Sequence, residues 1–238
     1  MSSSPLTPAR NSSPPSSRFL DLPAELRTKI YQMVLVVDGT IDLDPENVRR
    51  IAPRLDLFQT SRQIHKEAYH VFYGGNTFRV FPLHGRFFHT KYPLLSRMTP
   101  RYRAAIKSLE LRLGPGWTSP PKSWAIGPIL GLKDATSLLV LKVFVECDPS
   151  HDVFKGFRVG KDFYTCFSGD LLRNLIAALP SVVEVQFEAY PSVSRSGPLM
   201  SRLIAEAEAA NTFIIWNSSG ESDSTELQHH GGDDLDLR

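Results

Sequence analysis

The 238-residue sequence predicts a mixed α+β fold, an N-terminal helical module followed by an α/β region. Three observations predict it. Two early stretches, "FLDLPAELRTKIYQMVL" and "SRQIHKEAYHVFY", repeat apolar residues at helical spacing. From residue 106 onward, short apolar runs alternate with helical segments, the pattern of parallel crossover units. Both ends are too polar to offset the entropy of ordering them. The reading divides the chain into a disordered Ser/Pro-rich tail (1–17), a helical module (18–81), an α/β region (82–217) and a disordered acidic tail (218–238).

The elements follow in order. In the first helix Pro23 suits the first helical position and holds Leu22 extended, as a cap requires. Glu25 then lies in the first turn, where the macrodipole favours an acid. Leu22, Leu26, Ile30, Met33, Val34 and Val37 line one face; Tyr31 and Leu35 widen the stripe. "VVDGTIDLDPEN" reads as a short strand or hairpin, turning at Asp38-Gly39 and Asp44-Pro45. After the apolar turn "RLDLFQ", Thr60-Ser61-Arg62-Gln63 forms a capping box, with Thr60 bonding forward and Gln63 reaching back. The second helix buries Ile64, Ala68, Val71 and Phe72 and stops at Gly74-Gly75. "NTFRVF" alternates as a strand. Strands are expected at 106–113, 138–147, 182–190 and 213–217, with a weak helix at 122–134 and clear ones at 169–179 and 197–210. Their period is irregular, roughly 30 to 45 residues, so the region reads as a compact α/β layer or a degenerate leucine-rich-repeat-like stack.

A hydrophobic content of 42% supports one substantial core. The net charge is +2, but six of the acids lie in 221–238, leaving the rest of the chain near +7. Residues 79–112 hold eight bases against Glu110, interleaved with Phe81, Phe87, Phe88, Tyr92 and Tyr102. That pattern could suit phosphates or an acidic peptide. No nucleic-acid motif of known spacing accompanies it, and core aromatics with bases on outer faces explain it more simply, so nucleic acid is disfavoured. Two cysteines, Cys147 and Cys166, without a Cys-x-x-Cys pair, exclude zinc-finger spacing and a disulfide framework. No signal-like h-region and no uninterrupted apolar run of about 18 residues occur. The expectation is an intracellular protein of the cytoplasm or nucleus, without a membrane span. Asn11 and Asn217 head glycosylation triplets that are accidental in that setting, and Ser4-Pro5, Thr7-Pro8 and Ser13-Pro14 are proline-directed dipeptides.

Catalytic chemistry is thinly represented. There is no phosphate loop, no Gly-x-Ser-x-Gly elbow and no His-Glu-x-x-His. His65 and Glu67 are two apart and face different ways on a helix. His65 and Tyr69 read as a surface pair. His84 and His89 are too far apart for a one-face metal pair, and His229-His230 lies in the tail. Cys147 reads as a small buried hydrophobe. The expectation is a non-enzymatic chain with no cofactor.

Two blocks carry a resemblance. The first has Leu22-Pro23, Glu25-Leu26-Arg27, Ile30-Tyr31 and Leu35; the second is "LFQTSRQIHKEAYHVFYGGNTFRV". In that order they resemble the fungal set of F-box-like proteins, over about residues 19–81. The resemblance implies docking on a Skp-type adaptor within a cullin ubiquitin ligase, with the rest of the chain selecting an unknown protein substrate. It implies that Leu22, Pro23, Leu26, Ile30 and Leu35 contribute to the adaptor face. Leu57, Ser61, Arg62 and Ile64 would belong to the second part of the box, and 84–216 would present the substrate surface. The alternative is a stand-alone interaction or scaffold domain with no ubiquitin role, its first helix packed into its own core. A core stripe and a docking stripe have the same period, so the pattern leaves both open.

Overall fold

The computed structural model describes residues 18–179 and 181–217. The tail assignments at 1–17 and 218–238, the Ser/Thr-Pro dipeptides, Asn11 and His229-His230 lie outside them. The described chain is mixed α/β. Six parallel strands form one sheet in sequence order: β1 (Thr40–Ile41), β2 (Thr77–Arg79), β3 (Ser108–Leu113), β4 (Val140–Val145), β5 (Glu184–Ala189) and β6 (Phe213–Trp216). Seven α-helices accompany them: α1 (Ala24–Leu35), α2 (Pro45–Leu55), α3 (Arg62–Gly75), α4 (Leu94–Arg97), α5 (Pro100–Ala105), α6 (Phe163–Ala177) and α7 (Pro198–Ala209).

Alternation along the strands explains the layers. In β3, Leu109, Leu111 and Leu113 are buried while Ser108, Glu110 and Arg112 are half-exposed. In β4, Leu141, Val143 and Val145 alternate in the same way with Val140, Lys142 and Phe144. Parallel strands in sequential order put every connection on one face when the crossovers share the usual right hand. Among the described residues the other face is left half-exposed, whereas most all-parallel sheets are covered on both sides. Thr40, Thr77, Ser108, Val140, Glu184 and Phe213 form one row across it. Because β2 pairs with β3 through Thr77, Phe78 and Arg79, the sheet runs straight through the expected boundary at 81/82.

On the covered face, α6 buries Leu171, Leu172, Leu175 and Ile176, and α7 buries Leu199, Met200, Leu203 and Ala207. The two helices meet closely at Gly169, where a Cβ would lie 2.7 Å from the Arg202 side chain.

Several local expectations need correction. Of the short strand or hairpin expected in "VVDGTIDLDPEN", the short strand is present as β1, and helix α2, which was not expected, follows it. Asp44 caps α2, accepting from the backbone N–H of Glu46 and Asn47, and Pro45 takes the first helical position. In α1, Pro23 is the cap itself; the N–H groups of Leu26 and Arg27 donate to its carbonyl. The cap of α3 is Ser61, whose Oγ accepts from Ile64 N–H at 3.1 Å. Thr60 instead donates back to the Leu57 carbonyl, and Gln63 reaches Glu67. Helix α6 starts at Phe163, earlier than periodicity suggested, and the weak helix at 122–134 resolves into two 3-10 turns, Pro128–Leu130 and Leu132–Asp134.

Candidate protein-docking surface

Helix α1 has two unlike sides. One side carries Arg27, Tyr31 and Leu35, spaced by four, all buried. The other carries Pro23, Leu26, Ile30, Met33 and Val34, all exposed, with Leu26 at 46% and Met33 at 82%. Leu22 is half-buried beside them. The side that covers the core is therefore the one the sequence placed at the margin of the stripe.

A buried polar network sets this rotation. Arg27 grips Glu67 of α3 in a fork, Nε to Oε2 at 2.9 Å and Nη2 to Oε1 at 2.7 Å. Its Nη1 also donates to the carbonyls of Leu20 and Leu22, fixing the chain where it enters the helix. The Tyr31 hydroxyl donates to Glu67 Oε2 at 3.0 Å. The fork holds the Glu67 carboxyl well below its usual range, at about 2. Burial pushes the Tyr31 phenol up to about 12. Asn76, 2% exposed, completes the joint. Its Nδ2 donates to the carbonyls of Leu35 at 2.9 Å and Phe72 at 2.8 Å, and its Oδ1 accepts from Val37 N–H at 2.9 Å. One side chain thus satisfies the C-terminal ends of α1 and α3, which helices cannot satisfy internally.

The expected partner-binding residues divide accordingly. Pro23, Leu26 and Ile30 are exposed on one surface, with Leu22 at its edge. Leu35 is fully buried and Ile64 is 6% exposed, so both belong to the core and no partner touches them in this conformation. Leu57 is half-buried in the turn before α3 and packs against the core. Sequence reading missed Arg27, Glu67 and Asn76. The available signal was Arg27 at the same four-residue spacing as Tyr31 and Leu35.

The basic segment is less charged than it reads. Arg79 pairs with Asp42 and Glu110 at 3.0 and 2.9 Å, Arg103 with Asp134 at 2.7 Å, and Arg112 with Glu146. Arg86, Lys91, Arg97, Arg101 and Lys107 have no ion pair among the described residues. Phe81 is buried and stacks on Trp124, while Tyr92 is 60% exposed. His65 and Tyr69 are not a surface pair. Tyr69 is buried under the Arg101 guanidinium, and His65 bonds the Phe58 carbonyl and the Tyr102 hydroxyl.

The open sheet face is polar and partly self-paired. Arg112 stacks over Phe144 and reaches the Tyr190 hydroxyl at 3.2 Å. Lys142 lies between Glu110 and Gln186 with no ion pair among the described residues. No group of three or more His, Cys, Asp or Glu among the described residues could hold a metal ion. Burial pushes the Cys147 thiol up to about 11, which keeps it protonated and weakly nucleophilic. No described helix is long and apolar enough to cross a membrane. Comparison with protein-family models, curated proteins and solved structures returns no match.

Proposed function

We propose that this chain is a non-enzymatic adaptor, the substrate-recognition subunit of a Skp–cullin–F-box type ubiquitin ligase. One observation carries the reading. The residues of the first motif block whose side chains do not reach the core, Leu26 and Ile30, are apolar and exposed together on α1 beside its exposed cap Pro23. Architecture accounts for Arg27, Tyr31 and Leu35 of the same block; it does not account for an uncovered apolar stripe. In this reading Leu22, Pro23, Leu26 and Ile30 meet a Skp-type adaptor, and the open face of the sheet meets the substrate. The sequential parallel strands then act as a degenerate leucine-rich-repeat-like array whose N-terminal end carries the F-box-like helices.

The test is a pull-down with a purified Skp-type adaptor, comparing the wild type with Leu26→Glu and Ile30→Glu. Wild type should be retained and both variants lost, with unchanged circular dichroism. A folded wild type that is not retained would sink the ligase reading. The second reading, a stand-alone interaction or scaffold domain without a ubiquitin role, draws support from the continuous sheet and from Leu35 and Ile64 lying in one shared core.

A further inference from the structure

A gap of about 310 Å3 lies beneath α2, between its apolar side and helices α3, α4 and α5. Helix α2 places Val48, Ile51, Ala52 and Leu55 toward this gap, yet only Ile51 is buried. Val48 remains 51% exposed. The gap opens to solvent, so the apolar side of α2 that borders it has contacts left to make. Most of the remaining wall is apolar, including Phe72 and Leu94. The size falls at the lower end of small-molecule pockets, about 300–1,000 Å3.

Two donors stand in that wall, an exposed guanidinium and a half-buried phenol. Arg97 gives its Nε to the Tyr92 carbonyl at 2.9 Å and has no ion-pair partner among the described residues. The Tyr73 hydroxyl has no hydrogen bond among them, and burial keeps it protonated by raising its pKa to about 12. The one lining acid, Asp42, is committed to Arg79 at 3.0 Å and to the backbone N–H of Leu83 at 3.2 Å. A cation without an ion pair among the described residues, at the mouth of a mostly apolar gap and with a phenol hydroxyl in the same wall, favours an anionic ligand oxygen.

We infer that this gap is a binding site for a small monocarboxylic acid with an apolar body. The body lies against Ile51, Leu55 and Phe72, and the carboxylate accepts from Arg97. The inference is independent of adaptor docking, since α1 does not line the gap.

Titration calorimetry of the full chain with decanoate, and with decanol as the uncharged counterpart, tests it. Decanoate should bind saturably with one-to-one stoichiometry and more tightly than decanol. Arg97→Gln should weaken decanoate about threefold to fivefold and leave decanol unchanged. Ala52→Trp or Val48→Trp, each filling the gap from the exposed side of α2, should abolish binding of both while circular dichroism stays native. Absence of saturable decanoate binding to wild type, or retention of binding in both filled variants, would overturn the site. Equal effects of Arg97→Gln on decanoate and decanol would overturn the carboxylate assignment.

Discussion

The N-terminal joint and the α6–α7 layer hold the same sheet by different means. At the joint, α1 and α3 are wired by the half-buried Arg27–Glu67 fork and by the buried Asn76. In the α6–α7 layer the interior is leucine-rich, and the charges sit at its margin, where Arg173 and Arg202 bracket a mostly buried Glu206 and an exposed Asp170. Apolar packing tolerates small rotations of a helix about its axis; directional hydrogen bonds do not. The wired helix can therefore keep an apolar side facing outward without rolling it into the core. The packed helices α6 and α7 instead turn their leucines inward.

Five substitutions, one of them read against acid, would break or sharpen that contrast. In the packed layer, Leu172→Ala should be the most costly, about 2–5 kcal/mol, from lost burial and a residual cavity, read from the urea midpoint. At the joint, Asn76→Ala strands two carbonyls and one N–H and should cost about 3 kcal/mol. Asn76→Leu, which restores volume but no hydrogen bonds, should not recover it. Recovery would mean the joint is packed rather than wired.

Acid should act on both regions. The Glu67 and Glu206 carboxyls are held down to about 2 in the folded chain, chiefly by hydrogen bonds from Arg27 and Arg173. Their unfolded values are higher, so the unfolded chain binds more protons as pH falls. The stability they provide is fully present above roughly pH 5 and is lost on descent toward pH 2. Glu67→Gln should flatten the fall of Tm with acid relative to wild type; an unchanged slope would detach the fork from stability. The smallest effect belongs to the uncovered side of α1. Met33→Ser should leave the urea midpoint within about 0.5 kcal/mol of wild type.

The packed half was the more legible in the sequence. Leu109-Glu110-Leu111-Arg112-Leu113 alternates openly, and β3 falls inside its expected span. The leucines of 171–175 marked α6, although the polar and aromatic turn from Phe163 hid its start. Helix α2 was hidden by Pro53 and by a run of charge, while its one clear signal, Asp44-Pro45 as cap and first residue, equally suits a turn. The joint was least legible. Nothing local ties Arg27 to Glu67, forty positions away, and periodicity cannot say which side of α1 meets the core. The motif blocks span α1 and α3 without separating the residues that build the core from those left uncovered.

A parallel sheet laid down in sequence order has two unlike ends. β1 is a two-residue edge, too short to template much pairing. β6 ends the described array with four uncharged residues of high strand preference; Phe213 is 75% and Ile215 41% exposed, and no described strand pairs with its outer edge. Strand addition is thus polar along the molecule: another strand finds backbone donors, acceptors and an apolar face at the β6 end and little of either at β1. Self-association that begins on this protein should begin there.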